Sequence, residues 1–170
     1  MNQGHSQRNW GSGPRSSGSG YGQGPGARGS AGGPGQGSGA SGPPLFDPAK
    51  SRAELVDTIA EKQADLFPAE GRDQLNSSQL RRFFGEVKDL LKRLDAGRDY
   101  KTEIEPMFRM LRSKASYAWR NGANNKIPKV FHDFIENGVK KATDEQKFRL
   151  FVQHFEAVVG FLYGTGKVGK

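Results

Sequence analysis

The chain has 170 residues, with 26 lysines and arginines against 18 acidic residues, a net charge of +8, and no cysteine. The lack of cysteine excludes disulfides, cysteine-based zinc sites and thiol catalysis. No apolar run approaches the roughly 18 residues of a membrane span, and the N-terminus lacks the order of a signal peptide. We therefore expect a cytoplasmic protein with no membrane partner.

The first 44 residues hold 15 glycines, 8 serines and 5 prolines, a composition typical of disorder. We predict a disordered low-complexity tether over residues 1–44, a helical domain over residues 45–163, and a frayed tail over residues 164–170. Because the tether has three arginines and no acidic residue, the rest of the chain has 23 basic and 18 acidic residues, a net charge of +5. Its size suits one packed core.

Apolar residues recur at helical spacing along the domain, and no stretch alternates with period two for long enough to indicate a strand. We expect the first helix to begin with Asp47 as N-cap and to end at Pro68. The second begins at Ser77 or Ser78 and runs to about Leu94.

The third helix begins near Thr102 and continues to about Arg120, where residues 121–125 form a break. A fourth follows Pro128 and closes near Gly138. A fifth opens with Thr143 in a capping box. The predicted fold class is therefore all-α, a compact bundle of about five helices preceded by the disordered segment.

The second helix carries a basic stripe apart from its apolar side. Arg81, Lys88 and Lys92 lie within roughly 40° of one another at about 100° per residue. Gly85 sits beside them, and a glycine inside a helix costs about 1 kcal/mol relative to alanine. We expect a ligand backbone or another helix to approach closely there.

A second basic region has no acidic residue at all. Residues 106–132 lack Asp and Glu but contain Arg109, Arg112, Lys114, Arg120, Lys126 and Lys129. Arg109, Arg112 and Arg120 share one side of the third helix. Two basic helix faces indicate a groove for a phosphate backbone. The alternative is a solvated charged face.

Aromatic and sulfur-containing side chains lie among these cations. Tyr117 and Trp119 either stack on nucleic-acid bases or belong to the core. We expect the phenylalanines of the second, fourth and fifth helices to form the core, and Met107 and Met110 to fill gaps in it.

Catalysis finds little support in the sequence. His132 adjoins Asp133, but neighbouring residues on a helix diverge by about 100°, so we expect no proton-transfer pair. No carboxylate cluster has metal-ligand spacing and no serine lies in a nucleophile elbow. We therefore predict a protein that is not an enzyme and has neither a metal nor a cofactor.

Two segments resemble a known family. Residues 77–83, SSQLRRF, resemble the S/T-x-Q-I/L-R-K/R-F pattern of the small helical subunit of type III-A CRISPR effector (Csm) complexes. Residues 111–120, LRSKASYAWR, are similar to that family's L-x-x-K-x-A-Y-x-x-x-R region. The resemblance covers about residues 75–163, but not the glycine-rich tether.

The resemblance implies a non-catalytic subunit of an antiviral ribonucleoprotein that binds guide RNA and target RNA, contacts the other subunits, and self-associates along the filament. Carried over by position, the RNA-binding residues are Arg81, Arg82, Lys88, Lys114 and Arg120. With the residues taken from the basic faces, the full predicted RNA-binding set is Arg81, Arg82, Lys88, Lys92, Arg109, Arg112, Lys114, Tyr117, Arg120 and Lys126. The alternative function is a helical scaffold whose basic face binds acidic protein partners without RNA.

Overall fold

The computed structural model describes residues 45–120 and 126–169. Its helices are α1 Arg52–Val56, α2 Thr58–Asp65, α3 Ser77–Asp95, α4 Glu105–Trp119, α5 Lys129–Lys141 and α6 Glu145–Gly164. A π-helical segment, Tyr100–Ile104, leads directly into α4, and two short strands are β1 Leu75–Asn76 and β2 Val168–Gly169. The all-α bundle is confirmed. The predicted tether, the break over residues 121–125 and Lys170 lie outside the described residues.

The predicted first helix is divided and begins later than expected. Asp57, at φ −118° and ψ −99°, separates α1 from α2. Ser51 caps α1 in a capping box with Glu54, so the predicted cap at Asp47 is wrong. Asp47 instead accepts a hydrogen bond from the Ala49 backbone N–H at 3.2 Å, within a turn.

Two other predicted caps are wrong by a residue or two. Asn76, not Ser77 or Ser78, caps α3 and accepts a hydrogen bond from the Ser78 backbone N–H at 2.7 Å. Asp144, not Thr143, caps α6. Both caps have extended backbone angles that turn the side chain toward the free N–H groups of the first helical turn. A run of several polar residues does not tell which one adopts those angles.

Phenylalanines contribute the largest buried side chains of the core, as predicted, although Phe84 of α3 is only partly buried. Fully or almost fully buried phenylalanines from the three predicted segments are Phe83, Phe131, Phe134, Phe148, Phe151 and Phe155. Gly138 does not end α5, which continues to Lys141. A Cβ atom at Gly138 would lie only 2.0 Å from Cε2 of Phe151, so this glycine lets α5 and α6 pack closely.

The two strands join distant parts of the domain. Leu75 pairs with Val168 and Asn76 with Gly169, in parallel. Lys167 Nζ also donates to the carbonyl oxygen of Ala64 at 3.2 Å. Residues 167–169 are therefore held against α2 and β1, where the sequence indicated a frayed tail. Among the described residues, none of the helices combines the length and the apolar composition of a membrane-spanning segment.

Candidate nucleic-acid interface

The predicted basic stripe of α3 lies on the side of α3 that adjoins α6. Lys88 Nζ lies 3.2 Å from Glu156 Oε2 of α6, and the Lys88 ammonium is 5.9 Å from the Phe84 ring. Arg81 shares this side because it precedes Lys88 by seven residues, about two helical turns. Lys92 pairs at 3.4 Å with Asp89 of its own helix. Of the three stripe cations, Arg81 alone has no carboxylate partner among the described residues.

The cations of α4 are neutralised by carboxylates from outside the acid-free segment. Lys114 pairs with Glu86 of α3 at 2.5 Å, Arg112 with Glu136 of α5 at 3.1 Å, and Arg109 with Glu105 at 2.8 Å. Hydrogen bonds from Lys140 and Arg112 hold the pKa of the Glu136 carboxyl below its ordinary value. The two predicted basic faces therefore do not line one groove, because their cations point toward α6, α3 and α5.

The groove that does lie between α3 and α4 has a mixed character. It has a volume of about 240 Å³, and its apolar lining consists of Leu90, Met107 and Met110. These methionines are 41% and 56% exposed, so the prediction that they fill gaps in the core is wrong. The charged groups of the groove have both signs: Glu86, Asp89, Arg93 and Lys114.

Two contacts across this groove establish how α3 and α4 are aligned. Glu86 meets Lys114, and Arg93 donates to Met107 Sδ at 3.7 Å, so the helices run antiparallel. The same register places Arg82, near the start of α3, at the level of the end of α4. We name the residues that lie at this end of the α3–α4 pair the cationic end: Arg81, Arg82, Tyr117, Arg120 and Lys126.

The cationic end differs from the other predicted sites in its charge balance. None of its four cations forms an ion pair within residues 45–120 and 126–169. Two of them lie near aromatic rings: the Arg82 guanidinium is 5.1 Å from the Phe83 ring centroid, and Lys126 Nζ is 5.6 Å from that of Trp119. Gly85 lies one helical turn further along α3 with no heavy atom within 4 Å of a Cβ placed there. The expected close approach at Gly85 is thus not made by a described residue.

Tyr117 is a surface residue. The residue is 67% exposed, which excludes the core-packing alternative. The Arg120 guanidinium carbon lies 3.6 Å from the ring centroid, and Arg120 Nη1 donates to the Tyr117 carbonyl oxygen at 2.8 Å. Trp119 is half-buried, and its ring packs against the His132 ring with the two centroids 4.8 Å apart. The two aromatic residues therefore differ, and only Tyr117 offers an accessible ring.

A histidine-centred network joins α4 to α5. His132 Nδ1 lies 3.1 Å from Asp133 Oδ1, and Ser116 Oγ lies 3.4 Å from His132 Nε2. The prediction that divergence on the helix separates His132 from Asp133 is wrong, because side-chain rotation brings the terminal atoms together. His132, Asp133 and Glu136 place ligand atoms within 4.8 Å of one another. Both carboxylates are already engaged by cations, Asp133 by Lys129 and Glu136 by residues of α4 and α5.

Comparison with known proteins identifies one family. The family model described as Csm2 Type III-A matches residues 50–164, which is 115 of the 170 residues. Neither the search of curated proteins nor the search of solved structures finds a match. The matched range spans all six helices and ends with α6.

Proposed function

Because the chain belongs to the Csm2 Type III-A family and is thus a type III-A CRISPR effector subunit, we propose that it binds the sugar-phosphate backbone of guide and target RNA through the cationic end. The proposal rests on which of the predicted cations are paired with a carboxylate and which are not. Arg81, Arg82, Arg120 and Lys126 have no carboxylate partner among the described residues, whereas five other predicted cations do. An unpaired cation binds phosphate without first releasing a carboxylate.

The mechanism is electrostatic and independent of base sequence. Base pairing between guide and target supplies specificity, and the protein supplies charge and shape. Each phosphate contact releases counterions and adds about 0.7 to the salt slope of a single-strand complex. The subunit itself acts as a scaffold and catalyses no step.

The test is fluorescence anisotropy of the full chain with two unrelated single-stranded RNAs from low to physiological salt. We expect Arg82→Ala and Arg120→Ala to weaken both complexes similarly and to flatten the salt slope by about 0.7 each. Arg112→Ala is the matched control, because its guanidinium is already paired with Glu136. The tether arginines are unchanged in every variant, so differences report on the folded domain.

Two results would contradict this assignment. Unchanged binding of both arginine variants at low salt would exclude the cationic end as the RNA site. An equal loss in Arg112→Ala would mean that pairing with a carboxylate does not distinguish the cations. Competition by an acidic polypeptide but not by unrelated RNA would favour the scaffold with acidic protein partners.

Self-association is the second part of the proposal, and exposed apolar side chains support it. Met107 and Met110 lie on α4, whereas Val56 and Leu66, 36% and 42% exposed, lie on α1 and just after α2. In this proposal, the groove between α3 and α4 of one copy binds the surface around Val56 and Leu66 of the next copy. Such a contact is heterologous, and a heterologous contact that does not close builds a filament.

This geometry gives a complementation test by sedimentation. Met110→Asp and Leu66→Asp should each abolish self-association, because each removes one half of the contact. An equimolar mixture should still form dimers, since each variant keeps the half that the other lacks. A wild-type chain that stays monomeric at high concentration, or a mixture that forms no dimer, would contradict the assignment.

A further inference from the structure

We infer that Tyr117 is a stacking platform for one unpaired base, so that the cationic end prefers single-stranded RNA to a continuous duplex. This inference rests on the proposed function and names the form of RNA that the surface takes. Base stacking depends on the Tyr117 ring, whereas the contacts with the RNA backbone depend on the arginines. The two can therefore be tested separately.

The geometry leaves one face of the Tyr117 ring open. The Arg120 guanidinium lies 3.6 Å from the ring centroid and covers the other face. Because the residue is nevertheless 67% exposed, its accessible area must come from the uncovered face and the ring edge. The hydrogen bond from Arg120 to the Tyr117 carbonyl oxygen keeps the guanidinium in place. The ring is thus supported on one side and open on the other.

An open aromatic face beside unpaired cations suits a nucleotide that has left a helix. Every base has a π face, so stacking is tolerant of sequence. In a continuous duplex both faces of each base are already covered by neighbouring bases, so a side-chain ring has no face to contact. Arg82 and Lys126 lie at the same end of the α3–α4 pair and can hold the adjacent phosphates.

Trp119 does not provide a second platform. Its ring packs against His132, with centroids 4.8 Å apart, and Lys126 lies beside it. These contacts fix Trp119 between α4 and α5. Because Tyr117 is the one exposed ring among the described residues of the cationic end, we expect one base to be stacked there for each copy of the chain.

The experiment uses the full chain with an RNA that contains one 2-aminopurine, either single-stranded or annealed to its complement. We expect binding of the single strand to quench 2-aminopurine fluorescence, and the duplex to bind more weakly with no quenching. Tyr117→Ala should abolish the quenching and lower single-strand affinity about tenfold. Tyr117→Phe should retain both, and Tyr163→Ala, at a 44% exposed tyrosine of α6, is the matched control.

The outcomes separate the two proposals. If Tyr117→Ala binds and quenches like wild type, or if wild type binds duplex and single strand equally, stacking is overturned. Weakened binding of Arg82→Ala in the same assay would leave the backbone-binding function in place. If wild type binds no RNA at low salt, both proposals fail.

Discussion

Gly138 is the position where adding one methyl group should destabilise the domain most clearly. A Cβ atom there would lie 2.0 Å from Cε2 and 2.4 Å from Cζ of Phe151, whose ring is fully buried and cannot swing into solvent. Overpacking of this kind costs about 1–3 kcal/mol or more, and the better helix propensity of alanine returns only about 1 kcal/mol. Because three atoms of the Phe151 ring lie within 3 Å of the added atom, we take the upper end of this range and expect Gly138→Ala to lower the free energy of unfolding by about 2 kcal/mol.

Gly85→Ala is the matched substitution, because Gly85 is also inside a helix but no described residue outside its own stretch of helix backbone places a heavy atom within 4 Å of the added methyl group. We expect it to stabilise the isolated chain by about 1 kcal/mol. Urea unfolding followed by circular dichroism measures both changes, and thermal unfolding should separate the variants by several degrees at about 4 °C per kcal/mol. If Gly138→Ala proves as stable as Gly85→Ala, the close packing of α5 on α6 is refuted.

Three further predictions concern buried titratable groups and a helix cap. Burial lowers the pKa of His154, although a backbone hydrogen bond acts in the opposite direction. The free energy of unfolding should therefore be highest above about pH 6.5 and should fall as the pH drops, because the unfolded chain binds the proton more readily. In urea unfolding, His154→Gln should lack this pH dependence. Burial raises the pKa of Tyr100 to about 12, so the free energy of unfolding should be highest below about pH 10 and should decline as the pH rises toward 12. Tyr100→Phe should lack this decline in alkaline unfolding. In thermal unfolding, Asp144→Ala should cost about 1 kcal/mol and Thr143→Ala a few tenths, and equal losses would contradict Asp144 as the cap of α6.

The helices could be predicted because their signal is local. In α3, Leu80, Phe83 and Val87 are all fully buried, and their three-and-four spacing is visible without knowledge of any other segment. The division of α1 from α2 depends on the backbone angles of Asp57, which no pattern of apolar residues specifies. The cap of α3 lies in a run of polar residues, so the sequence predicted its position only to within a few residues.

The candidate site was less predictable, because charge pairing is a property of the folded chain. Arg109 and Glu105 are four residues apart, a spacing that indicates an ion pair on a helix. Lys88 and Glu156 are 68 residues apart, and no local pattern reveals that they meet. The sequence therefore predicted where cations occur but not which of them remain unpaired.

The pairing of β2 with β1 gives the domain a built-in reporter of complete folding. Leu75 and Val168 are 93 positions apart, and closing a loop of that length costs chain entropy that two short strands cannot repay by themselves. The strand pair should therefore form only after the helices between have packed. Hydrogen exchange at the amides of residues 168 and 169 would then separate a molecule whose bundle is assembled from one in which the helices are present but the two strands have not yet paired.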